Sequence, residues 1–125
     1  MRTQGIHHVA IQVHDVEKVA TFYRDVLGLP ERARHQREDG SLRSIWIEAS
    51  ADGSFLAIEE LRPGVRGTLG HSLVALRIAR GERAAWLTHL ARAGVPIEKQ
   101  SQWTIYVKDP EGNVIGLSHH PHDPL

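Results

Sequence analysis

The segment Ile6–Val13, IHHVAIQV, decides the fold. It alternates β-branched residues with small or polar ones, the period-two pattern of a strand buried on one face. Asp15 follows as a helix N-cap. Val16, Val19, Ala20, Tyr23, Val26 and Leu27 then recur at helical spacing up to Gly28, predicting a helix over Val16–Leu27. Working outward, three strand-like runs come next, Glu31–Arg37, Leu42–Glu48 and Phe55–Leu61. Asp39-Gly40 and Asp52-Gly53 separate them as hairpin turns. This half reads β-α-β-β-β.

The order then repeats. His71–Ile78 reads as a strand, and Glu82–Ala93 as a helix with Ala84, Leu87, Leu90 and Ala91 on one face, stopped at Gly94. Short strands are expected from Val95 to Gln100, at Trp103–Val107 and at Val114–His119, the last two joined by the turn Asp109-Pro110-Glu111-Gly112. The halves align with an offset of 63 residues at the strand starts and 66 at the helix-ending glycines. Two copies of one supersecondary unit follow, giving an α+β fold. Residues 1–125 are expected to form a single domain, with module 1 at about 5–61, a glycine-rich linker at about 62–69 and module 2 at about 70–120.

Composition narrows the function. The 125 residues carry 15 Lys and Arg against 15 Asp and Glu. That balance leaves no global basic field for nucleic acid or an anionic membrane. Without cysteine the chain can build neither a disulfide, a thiolate zinc site nor a thiol nucleophile. No apolar run approaches the ~20 residues that cross a bilayer. Met1–Gly5 leads into structured sequence without a signal-peptide hydrophobic region, so a cytoplasmic protein is expected. Nine histidines stand out, clustered at His7/His8, His71 and His119/His120/His122.

Strand phasing separates them. In the first strand Val9, Ile11 and Val13 are expected under the helix, leaving His8, Ala10 and Gln12 on the other face. In its repeat Val74, Leu76 and Ile78 go under the helix, leaving His71, Leu73 and Ala75. Two histidines thus take repeat-equivalent positions. Phe55, Ala57 and Glu59 form the matching set on the fourth strand, and Val114, Gly116, Ser118 and His120 on the last. His7 and His119 fall on the helix side, and His14, His35 and His89 at the surface or against helices. If the sheets curl together, the non-helix faces line a shared concavity in which His8, His71 and Glu59 converge. Two imidazoles and a carboxylate suit a divalent ion with open positions. Glu60 is an alternative to Glu59, and ordinary core packing is the plainer role for Trp46 and Phe55.

These motifs resemble the vicinal oxygen chelate superfamily, which includes glyoxalase I, fosfomycin-resistance transferases, extradiol dioxygenases and bleomycin-binding proteins. The resemblance rests on His7–Val13 with Asp15, Phe22-Tyr23, Leu27-Gly28-Leu29, Gly70-His71 and the Asp109–Gly112 turn, and spans about Gly5 to Ser118. It implies two βαβββ modules whose curved mixed sheets enclose a cleft, often completed across a homodimer. His8 and His71 match the family's two histidine ligands, and Glu59 matches the first-module carboxylate used in glyoxalase I. Tyr106 resembles a substrate-contacting tyrosine, while Gln12, Trp46, Phe55 and Trp103 would line the cleft. The chain departs from the family at Gly116, where the second-module carboxylate belongs. Two readings follow. One is a metal-dependent enzyme of the glyoxalase lyase/isomerase or dioxygenase type. It would use Zn, Ni, Mn or Fe to chelate a small oxygenated substrate and stabilise an enolate-like intermediate, with Glu59, Glu48 or a histidine as base. The other is metal-independent sequestration of a small molecule, with Gly116 widening the cleft and His120 a replacement ligand for the first reading.

Overall fold

The computed structural model describes residues 1, 2, 4, 6–61 and 73–120. Its contacts divide the chain into two compact units, Met1–Gly70 and His71–Leu125. In the first, β1 (His8–Val13) is followed by α1 (Val16–Thr21), β2 (Glu31–Gln36), β3 (Leu42–Glu48) and β4 (Phe55–Glu60). In the second, β5 (Val74–Arg77) is followed by α2 (Arg83–Arg92), β6 (Lys99–Gln100), β7 (Thr104–Lys108) and β8 (Val114–Ser118). Each unit holds one four-stranded mixed sheet, ordered β1-β4-β3-β2 and β5-β8-β7-β6. The first and last strands of each unit pair in parallel and the other pairs are antiparallel. This is the expected α+β arrangement of two βαβββ modules. The linker at 62–69 lies outside the described residues.

Asp15 caps α1 as expected, accepting from the Lys18 N–H at 3.1 Å. The expected single helix to Leu27 instead widens into a π-helical turn over Phe22–Val26, closed by the Leu27 N–H on the Phe22 carbonyl at 3.2 Å. Phe22 and Tyr23 are both buried in this turn. Gly28 then stops the helix in the left-handed region, at φ 72°. α1 packs across β3 and β4, and the core beneath it is Ile11, Val13, Val19, Tyr23, Ile45, Ile47, Leu56 and Ile58.

In the second unit Ile78, Leu90, Ile105, Val107, Ile115 and Leu117 are buried, while Val74 and Leu76 are half-buried. α2 is rotated from the expected phase. Ala84 and Ala91 are exposed, and Arg83 lines up with Trp86, Leu87 and Leu90 on the inner face. The guanidinium of Arg83, only 5 % exposed, reaches His119 Nε2 at 3.0 Å, Gln100 Oε1 at 3.0 Å and the Ser101 carbonyl at 2.8 Å. An arginine always donates, so His119 is neutral and accepts at Nε2. His119 therefore lies on the helix side, as expected. The strand expected from Val95 pairs only at Lys99–Gln100, because Pro96 has no N–H to give to a ladder.

Candidate functional site

His8, Ala10 and Gln12 are exposed on β1 while Ile11 and Val13 are buried, as alternation predicts. The parallel register sets His8 opposite Phe55, and β3 brings Trp46 to the diagonal position on the same face. Their rings stack. His8 and Phe55 lie 4.9 Å apart at 9° between planes, and Phe55 and Trp46 4.4 Å apart at 26°. His35 of β2 continues the row, 4.4 Å from Trp46. Four rings thus run obliquely across all four strands of the first sheet. Phe55 lies within this stack, 3 % exposed, so its ring is wall rather than direct contact surface. His8 is exposed and Trp46 and His35 are half-buried.

Two histidines sit elsewhere than the phasing puts them. His7 joins the stack edge-on to Phe55 at 5.5 Å, with its Nδ1 2.9 Å from His8 Nδ1, so it belongs with His8 and not under the helix. His35 is brought to the ring face by a bulge. Between Glu31↔Ile47 and Ala33↔Trp46, β2 advances two residues against one on β3. Arg32 is the extra residue, and the slip moves Ala33 and His35 from the helix side to the ring side. The Arg32 guanidinium then lies 5.0 Å over the Phe55 ring and donates to the Gly53 carbonyl at 2.7 Å. His35 Nε2 is buried without a hydrogen-bond partner among the described residues. His7, Arg32 and His35 are the members of this cluster that alternation alone missed.

The proposed metal residues are not drawn together to the same degree. Glu59 pairs in register with Gln12 and lies four residues beyond Phe55, the partner of His8. That is about 13 Å of strand rise. Glu59 lines a separate recess with Arg37, Arg43 and Glu60, where Arg37 and Glu60 form an ion pair at 3.3 Å. His71 lies outside the described residues. Among the described residues, no three His, Asp or Glu side chains are grouped to hold a metal ion.

In the second sheet Lys99, Tyr106, Gly116 and Ala75 stand side by side across β6, β7, β8 and β5. Tyr106 is half-buried, with the Lys99 ammonium 4.7 Å over its ring. Gly116 does not open space as expected. A Cβ there would stand 3.0 Å from Thr104 Cγ2, 3.2 Å from Leu73 Cδ1 and 3.5 Å from Ala75 Cβ. Thr104 is held in place by its hydroxyl, which donates to Ser118 Oγ at 2.9 Å. The position that carries the family's second carboxylate is therefore filled by methyl groups. His120, the alternative ligand, is exposed and packs edge-on to Trp103 at 5.2 Å. Neither Gly116 nor its surroundings supplies a ligand, and the expected centre depends on His71, which lies outside the described residues.

Several solved structures share the fold. Lactoylglutathione lyase from Agrobacterium tumefaciens matches over 96 % of each chain at 20 % identity, with a TM-score of 0.76. An antibiotic-binding protein from Streptomyces sp. CB03234 matches over 95 % of this chain and 98 % of its own, at 24 % identity and TM-score 0.74. A mutant of the fosfomycin resistance protein FosX from Listeria monocytogenes, solved with Mn(II) and a dihydroxypropylphosphonic acid, matches over 94 % and 93 % at 19 % identity and TM-score 0.71. At these identities the likeness speaks for the fold. Kinship in sequence comes from the family model, which matches residues 5–117: the chain belongs to the Glyoxalase/Bleomycin resistance protein/Dioxygenase superfamily.

Proposed function

We propose that this chain binds a small, flat organic molecule on the ring face of its first module, without needing a metal ion. The oblique row His8–Phe55–Trp46–His35 carries this reading. The row leaves His8 exposed and Trp46 and His35 half-buried as a polarisable aromatic surface, and each added aromatic contact is worth about 0.5–1.5 kcal/mol beyond its buried area. The unpartnered His35 Nε2 at the end of the row supports the same conclusion, since a buried polar atom left unpaired costs about 1–3 kcal/mol. The methyl-filled Gly116 position favours binding over the metal-dependent reading. A melting-temperature screen of planar aromatics in excess chelator tests it, because a ligand that binds only the folded state raises the melting point by mass action. Hits should survive chelation, and Trp46→Leu should weaken them about two- to tenfold by removing a stacking partner.

The second reading keeps metal-dependent glyoxalase- or dioxygenase-type chemistry, with His8, His71 and Glu59 as ligands, Glu59 also as base and Tyr106 contacting the substrate. The exposure of His8 at the family's first ligand position favours it. It predicts stoichiometric metal in untagged protein, lost in His8→Ala and His71→Ala, and hits in the same screen that disappear with chelator.

A further inference from the structure

The first module uses its arginines unevenly. Arg24 pairs with Glu31 at 2.8 Å, Arg34 with Glu31 at 2.8 Å and Glu17 at 3.2 Å, and Arg37 with Glu60 at 3.3 Å. Arg32, like Arg2 and Arg43, has no ion-pair partner among the described residues, and of these three it is the one set over the ring row. Its bonds are to the Gly53 carbonyl and the face of Phe55, neither of which neutralises its charge. The guanidinium also lines an open recess with Gln4, Ile6, His7, Asp52 and Ser54, at the His7 end of the ring row. Asp52 does not serve as its counter-ion. Its carboxylate accepts from the Ser50 hydroxyl and from the Ser54 N–H at 3.0 Å, and these bonds hold its carboxyl at about 2.

An extra residue in an edge strand is an expensive way to place a cation on an aromatic face, and among the described residues no carboxylate stands within ion-pair distance of it. We infer that Arg32 is a specificity residue, and that the ligand is a flat aromatic molecule bearing an anionic group, a carboxylate or its like, held by Arg32 beside the ring row. The inference rests on the aromatic-binding reading and adds the charge of the ligand to it. A guanidinium with open N–H donors binds a carboxylate in two parallel hydrogen bonds, and the nearby rings exclude water from one side. The backbone bond to Gly53 and the contact with Phe55 hold the side chain in place before a ligand arrives.

The test is calorimetric titration of the whole chain with three probes of one shape, 2-naphthoate, 2-naphthamide and 2-naphthylmethylammonium, in chelator at low salt. The wild type should prefer naphthoate over naphthamide by about tenfold or more, the size of one charge-assisted contact, and should bind the ammonium probe weakest. Arg32→Gln should bring the naphthoate-to-naphthamide ratio close to one, while Arg32→Lys should retain part of it. Equal affinity for naphthoate and naphthamide in the wild type, a ratio unchanged in Arg32→Gln, or a preference for the ammonium probe would overturn the inference and leave aromatic binding standing. If none of the three probes binds, aromatic binding and the inference fall together.

Discussion

Gly116 shows how much turns on a single residue. The gap it leaves in the family's carboxylate set is plain in the sequence, but its surroundings are not, because Thr104 comes from β7, Ala75 from β5 and Leu73 from the residue before β5. Its φ is not positive, so backbone strain does not oppose a side chain there, and packing decides the outcome. Gly116→Ala should lower stability by about 1 kcal/mol, since the Thr104 methyl must yield while its hydroxyl bond to Ser118 holds it. Adding Thr104→Ser removes that methyl, keeps the hydroxyl, and should restore most of the loss in urea denaturation. Gly116→Ala at wild-type stability would refute the packing argument. His8 was legible from alternation alone, because β1 is regular. His35 was not: Glu31–Gln36 alternates cleanly, and neither glycine nor proline marks the bulge at Arg32 that reverses its faces.

Elements behave similarly. Capping, turns and strand pairing were readable because Asp15, Gly28 and the Asp-Gly turns act locally. The phase of α2 was not, because the residue that sets it is a buried arginine whose partner, His119, stands 36 positions away. The π-helical turn after α1 is tied to β2 by Glu31, which accepts from Arg24 of that turn and from Arg34 of β2. The hydrogen bond from Arg34 is the largest influence lowering the Glu31 pKa, so this carboxylate contributes stability above its ordinary range and loses it as pH falls through the depressed value. The pairs are partly solvent-exposed, which limits the effect to about 0.5 kcal/mol. Glu31→Gln should therefore melt lower than the wild type at pH 7, with the difference closing below about pH 4. A difference that stays constant with pH would mean that the ion pairs contribute nothing.

At the scale of the molecule, two βαβββ modules and membership of the superfamily were legible from repeat spacing and a handful of motifs, and the family model over residues 5–117 agrees. No helix among the described residues is long and apolar enough to cross a membrane. The site was only partly legible. Sequence phasing put His8 and Phe55 on one face and the family resemblance added Trp46 as a cleft residue, but neither could show that their rings stack, nor that Glu59 stands with Arg37 and Arg43 in a different recess. The chain carries three tryptophans, Trp46 in the first module and Trp86 and Trp103 in the second, so their indole N–H signals report the two modules separately. Titrating isotope-labelled protein with 2-naphthoate in chelator, and following those three signals by nuclear magnetic resonance, tests the central claim most directly. The Trp46 signal is expected to move while those of Trp86 and Trp103 stay. A shift at Trp103 with Trp46 unmoved, or movement of Trp46 only after a divalent metal is restored, would contradict it.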